Sequence, residues 1–350
     1  MLQWSAGLAL SAAGGALGAA TQPMDRWPST QSFSPANDKM RHFGSRGVPT
    51  HDPSRIVRCE GVYWVFSTGR GGGSRFSTDF VNWQIAPRVF RDGPDWISQA
   101  VPGWQYDKGL WAPDLVRRGD DYRLYYSASS FGKNTSAIGL ATAKSLNHDS
   151  PHFGWTDHGS VMVSTREDPF NAIDPCPLLD ADGRCWMSFG SFWDGIKLIE
   201  LDAATGKRIA LDSPMYSIAR AREVEGSFIF RRGEMYYLIV NWGLCCRGLE
   251  STYSFRIGRA KTITGPYLDK DGRDMASGGG SLLLATDGPF IGPGQAGVFE
   301  EADRWWLSMH FYDGTTARGT PRLAIRQLLW NNGWPNVASA DPVGQSPQPK

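Results

Sequence analysis

The chain has 350 residues, 41% hydrophobic and 20% charged, which is enough apolar material for a large core and too little charge for a disordered chain. Lys and Arg number 36 against 35 for Asp and Glu, so a formal net charge of +1 sets up no field that would gather nucleic acid or an anionic membrane. A neutral polymer or small molecule suits this balance, and the 15 Trp and 11 Tyr supply flat amphipathic rings for sugar faces as well as for core packing.

Residues 8–20 form an apolar run of small side chains ending in a plausible cleavage site after Ala20, although no Lys or Arg precedes it. A signal peptide is expected over 1–20, and with it a secreted or periplasmic protein. No other stretch approaches the ~18 apolar residues of a membrane span. Residues 21–50, rich in Ser, Pro and Gln, read as a tether before the fold. A single domain is expected over 51–340, followed by a tail over 341–350.

From His51 a unit recurs: an acidic residue, a short apolar strand, a charged turn, a strand rich in aromatics, a polar loop and a further strand. The copies open at H-D-P-S from His51, W-A-P-D from Trp111, A-I-D-P from Ala172, E-G-S-F from Glu225 and Q-A-G-V-F from Gln295. Paired apolar runs are separated by hairpin turns rich in Gly and Asp near Gly119, Asp182, Gly233 and Asp303. Five copies spaced roughly 50 to 70 residues apart, without helical periodicity, predict an all-β five-bladed β-propeller.

The innermost strand of each blade lines the central axis, so residues at equivalent strand ends converge on one mouth. Asp52, Asp114, Asp174 and Glu225 are expected there, from blades one to four. Like charges confined together push their pKa values apart, a cost that suggests function. Glycoside hydrolysis needs such a set: one carboxylic acid that donates to the leaving oxygen and one ionised carboxylate on the other side of the anomeric carbon. Each Asp-Pro or Glu-Gly alone is a common strand-initiating turn; their register carries the reading.

At these residues the sequence resembles glycoside hydrolase family 43, and within it the arabinanases. The similarity rests on the five opening motifs together with F-G-K-N-T-S-A-I-G from Phe131, G-S-F-W-D-G-I from Gly190, G-L-C-C-R-G from Gly243 and G-P-G-Q from Gly292. The resemblance implies an inverting hydrolase of α-1,5-L-arabinan, with Asp52 as general base, Glu225 as general acid and Asp174 as the carboxylate that orients the acid and raises its pKa. Glu223 is the rival for the acid. Trp111, Asp114, Asn134, Phe192 and Trp193 are candidates for substrate contact, Asp114 without a part in proton transfer.

In related arabinanases the fifth-blade motif reads G-P-G-H, and its His helps hold a hydrated calcium ion on the axis; here the position is Gln295, which puts calcium in doubt. Gln295 and His310 remain the candidate metal residues, and no cofactor is needed for the chemistry itself. The five Cys lack zinc-site spacing. Cys245 and Cys246 are either a vicinal disulfide lining the cleft, as the family segment implies, or buried thiols. The partner expected is arabinan or another arabinose-containing polysaccharide, handled by a monomer that binds neither nucleic acid nor membrane. An α-L-arabinofuranosidase, a β-xylosidase and a non-catalytic glycan-binding propeller are the alternatives.

Overall fold

The structure, a computed structural model, describes residues 42–339. The expected signal peptide, most of the tether and the tail lie outside the described residues. Within them the chain forms five antiparallel sheets, each following the chain from its innermost strand outward. Blade one comprises Val57–Cys59, Val62–Ser67, Gly73–Ser77 and Gln84–Ala86. Blade two comprises Trp111–Arg118, Asp121–Ala128, Ser136–Ala143 and Thr156–Ser164. Blade three follows with Cys176–Leu179, Cys185–Phe189, Ile196–Leu201 and Met215–Ala219. Blade four uses Val224–Arg232, Met235–Trp242, Ser254–Ala260 and Ser281–Leu284.

Blade five breaks the rule. Its three inner strands, Phe290–Glu301, Arg304–Asp313 and Thr320–Asn331, follow the chain, but His42–Pro49 pairs antiparallel with Thr320–Asn331, as Trp334–Val337 also does. This corrects the expected tether: residues 42–49 of it are a strand of blade five, which joins the first described strand to the last blade. No helix among the described residues is long and apolar enough to cross a membrane.

The hairpins close as their turn chemistry dictates. Glu60-Gly61, Ala302-Asp303 and Asn332-Gly333 each hold two consecutive residues at positive φ between directly paired neighbours, the geometry of a type I′ turn. Most strands are buried along nearly their whole length, as in Cys185–Phe189, because every blade is covered on both faces by its neighbours. Five apolar clusters fill the five seams. Trp64 and Phe66 meet Leu115 and Tyr126 between blades one and two; Tyr125 and Leu140 meet Met187 and Phe189 between two and three. Trp186 and Leu198 meet Ile229 and Leu238, and Phe228 and Ile239 meet Val298 and Leu307, in the next two seams. Tyr63 and Val65 against Phe299 and Trp306 close the ring.

On the axis, Arg55 touches every other blade. Its Nη2 donates to Asp114 Oδ2 at 2.6 Å in blade two and to the carbonyl of Pro177 at 2.6 Å in blade three. Its guanidinium carbon sits 4.8 Å from the centre of the Phe228 ring in blade four. At Gly297 of blade five a Cβ would stand 2.7 Å from Arg55 Cα, so only glycine fits beside this plug.

Candidate active site

A left-handed residue precedes or interrupts the inner strand of every blade: Asp52 at φ 47°, Ala112 at 37°, Asp174 at 58°, Gly226 at 58° and Gln295 at 55°. Four of these are not glycine, and such conformations persist only where the surroundings hold them. Here a side chain accepts each of their backbone N–H groups. Thr68 Oγ1 accepts from Ala112 at 2.9 Å, Ser127 Oγ from Asp174 at 3.0 Å and Asn241 Oδ1 from Gln295 at 3.0 Å. His310 Nδ1 accepts from Asp52 at 3.1 Å, and Asp174 Oδ2 from Gly226 at 3.0 Å.

This frame corrects the expected register. Asp52 and Asp174 are equivalent, but Ala112 and not Asp114 is their counterpart in blade two, and Glu225 precedes the left-handed residue by one. Asp114 stands two residues further down its strand, buried, with both carboxylate oxygens and the backbone N–H of Arg55 joined in one ion pair. It is part of the axial plug and makes no substrate-facing member of the carboxylate set. Asn134 is corrected too: its side-chain nitrogen is buried and spent on the carbonyls of Asp168 at 2.8 Å and Phe170 at 3.3 Å, which staples the loop before blade three.

Trp111 lies in the same frame. It stands one residue before Ala112, as His51 and Glu225 stand before Asp52 and Gly226, and it is half-buried with Nε1 donating to the carbonyl of Lys108. Phe192 and Trp193 lie in the loop after Cys185–Phe189, both at positive φ, and Trp193 is 44% exposed. The Phe192 N–H donates to the carbonyl of Val224 at 2.7 Å, which ties that loop to the residue before Glu225.

Asp52 is held by two donors on one oxygen: His51 Nδ1 at 2.7 Å and Thr68 Oγ1 at 2.6 Å, both to Oδ2. Burial would raise its pKa. The charge and hydrogen bond of His51, with the hydroxyl of Thr68, outweigh that and hold the carboxyl far below the usual range. His51 is correspondingly raised: burial would lower it, but Asp52 and then Glu225 favour its cation. Its Nε2 bonds Tyr312 Oη at 2.7 Å, and Tyr312 Oη accepts the N–H of Cys246 at 2.8 Å. Cys245 and Cys246 are disulfide-bonded, which settles the two readings of that pair, whereas Cys59, Cys176 and Cys185 are free and buried.

Glu225 is buried, and both its oxygens accept: Oε2 from Ser191 Oγ at 2.7 Å and Oε1 from Tyr253 Oη. Burial raises its pKa, the two hydroxyls lower it, the charge of Asp52 raises it again, and the net direction is upward. Asp174 is pushed well up, first by burial and then by the charges of Glu225 and Asp52. The Asp174–Glu225 pair therefore holds a proton to higher pH than either carboxyl would alone. Glu223, the rival, is half-buried, and its backbone carbonyl accepts from Gly243. The fold thus sorts its carboxyls into one held ionised and two that resist ionisation, the division that acid–base chemistry at neutral pH requires.

His310 is 0% exposed and pushed down to about 3 by burial and by the charge of His51, so it is neutral. Since Nδ1 accepts from Asp52, the hydrogen-bond network assigns the ring proton to Nε2, a buried atom with no hydrogen-bond partner among the described residues. That orphaned donor fits a water or another acceptor and does not itself ligate a cation. The nearby His51, Asp52 and His310 atoms, within 4.8 Å of one another, are already hydrogen-bonded together and offer little of the oxygen shell that calcium prefers. Gln295 is buried with Oε1 turned toward blade four, 3.0 Å from where a Cβ on Gly226 would stand.

Opposed buried carboxyls at the mouth of a five-bladed propeller define a glycoside hydrolase. A family model described as glycosyl hydrolases family 43 matches residues 48–335, and the chain belongs to that family. It is 42% identical to the extracellular exo-α-(1→5)-L-arabinofuranosidase ArbA of Cellvibrio japonicus (strain Ueda107), over 84% of this chain and 88% of that one. It is 40% identical to the extracellular endo-α-(1→5)-L-arabinanase 1 of Bacillus subtilis (strain 168), over 84% and 89%. Among solved structures, the Cellvibrio cellulosa α-L-arabinanase complexed with arabinohexaose superposes with a TM-score of 0.79 at 40% identity, covering 83% of this chain and 96% of that one.

The residue types and order of the catalytic candidates were visible in the sequence, and His51 and Ser191 lay inside the motifs that pointed there. Thr68, Tyr253 and Tyr312 were missed. Each comes from an aromatic or polar strand end that carries no local signature of the carboxylate or histidine it touches.

Proposed function

We propose that this protein is an inverting hydrolase of α-1,5-L-arabinan, exported from the cell and working as a single chain. Asp52 is the general base, Glu225 the general acid, and Asp174 the carboxylate that raises and orients the acid. The observation that carries this is the sorting of the three carboxyls: Asp52 is held ionised by His51 and Thr68, while burial and neighbouring charge push Glu225 and Asp174 upward, so that the pair keeps a proton for the leaving group. Asp52 takes a proton from water as that water attacks the anomeric carbon, and Glu225 gives its proton to the departing glycosidic oxygen. Inversion calls for a base and acid ~6.5–9.5 Å apart, and Asp52 and Glu225 come from blades one and four, which are not neighbours in the ring.

Trp111, Phe192 and Trp193 offer aromatic faces for sugar rings, each stack worth roughly 0.5–1.5 kcal/mol. The relatives named extracellular support export. The Cellvibrio and Bacillus relatives carry exo and endo names respectively, so both modes stay within the reading.

Linear α-1,5-arabinan incubated with the purified protein, with and without chelator, tests it. Product size separates exo from endo cleavage, and the anomer first released, followed by proton NMR, reads the stereochemistry. Retained configuration, or no hydrolysis of arabinan, would overturn the proposal.

A further inference from the structure

Glu225 is faced from several elements. Tyr253 and Ser191 bond it directly, and Asp52, His51, Asp174 and Tyr312 act on it or are acted on by it through charge. Of these, Tyr253 is the most firmly placed. It is buried at the start of the strand Ser254–Ala260, and its ring lies against the backbone of Gly294, where a Cβ would stand 2.6 Å from Tyr253 Cδ2. Burial, followed by the charges of Glu225 and Asp52, forces its phenol pKa well above its ordinary value, so Tyr253 stays a donor throughout the working range. Ser191 differs: a serine hydroxyl rotates and can donate or accept.

We propose that Tyr253 is a positioning residue for the general acid, its hydroxyl fixing Glu225 Oε1 as an acceptor and so assigning the transferable proton to Oε2, beside Ser191. This rests on Glu225 being the acid. The same bond favours the carboxylate, and so opposes the upward push from burial and the charge of Asp52. A buried acid without that restraint would hold its proton too tightly to give it to a leaving oxygen.

The sign follows directly. Removing the donor destabilises the ionised form, so Glu225 stays protonated to higher pH and the basic limb of the kcat profile moves up. For Tyr253→Phe we expect an upward move of about one pH unit and a fall in kcat at the optimum of about tenfold, with KM changed less than about twofold. Site-specific 3-fluorotyrosine at position 253, a stronger donor of nearly the same shape, should move the limb down, and it keeps the test alive if the phenylalanine variant does not fold. An unmoved basic limb in both proteins overturns the proposal and leaves Tyr253 a packing residue. Glu225→Gln, run alongside, separates the two claims: near-wild-type activity there means that Glu225 is not the acid, whatever Tyr253 does.

Discussion

Asp174 Oδ2 accepts the backbone N–H of Gly226 at 3.0 Å, so the carboxylate that repels Glu225 also holds the peptide next to it. The two effects separate in Asp174→Asn. The amide oxygen can still accept from Gly226, which keeps the strand in place, but the charge that raises the acid is gone. The expected result is a basic limb displaced to lower pH, with kcat down by about 10- to 100-fold and an unchanged melting temperature. An unshifted profile would count against the electrostatic role.

Asp52→Asn removes the base without changing its shape. Hydrolysis should fall by at least about a thousandfold while circular dichroism and thermal melting stay near wild type. His51→Gln tests what holds the base ionised. Without the imidazolium, the Asp52 pKa climbs back toward the ordinary carboxylate range, and a depressed carboxyl that climbs loses its ionised form at higher pH. The acid limb of kcat/KM should therefore move up, and an acid limb identical to wild type would show that His51 does not set it.

The Cys245–Cys246 bond should matter for activity and hardly at all for stability. It joins neighbours in sequence and so removes almost no chain entropy from the unfolded state. Through Tyr312, however, the Cys246 N–H is linked to His51 and from there to Asp52. Reduction with a phosphine should lower kcat by about fivefold, the scale of one hydrogen bond, with little change in melting temperature. Activity that ignores reduction, checked by thiol titration, would disconnect the loop from the base.

Arg55→Ala should be the most destabilising of these changes. It leaves Asp114 charged, buried and unpaired on the axis, a cost of about 3–5 kcal/mol in chemical denaturation. Arg55→Met combined with Asp114→Leu should recover most of that loss, because apolar packing replaces a buried pair at little net cost. A double variant as unstable as Arg55→Ala would show that the plug acts by shape and not by charge.

The five-bladed fold was legible in the sequence because each blade repeats its opening motif, its hairpin turn and its aromatic strand. The register at the mouth was not. The repeated position is marked by a left-handed backbone, not by an acid, and Ala112 occupies it silently while Asp114 stands nearby as a decoy. The bulges at Trp111/Asp114 and Glu225/Phe228 shift the count further, and no spacing of acidic residues reveals them. The strand His42–Pro49 escaped notice because its sequence has no alternation; its partner Thr320–Asn331 supplies the pairing edge. The hydroxyls on Glu225 come from 28 and 34 residues away, and that distance is bridged only by the ring.

Blade five draws on both ends of the described chain, and Asp52 takes its backbone partner His310 from 258 residues further on. During synthesis, therefore, the base is among the first functional groups made and among the last to acquire its surroundings. A chain halted after blade four would contain Asp52, Asp174 and Glu225 and still lack His310 and Tyr312. Turnover should thus report completion of the whole ring, and a fragment ending short of blade five is expected to show none.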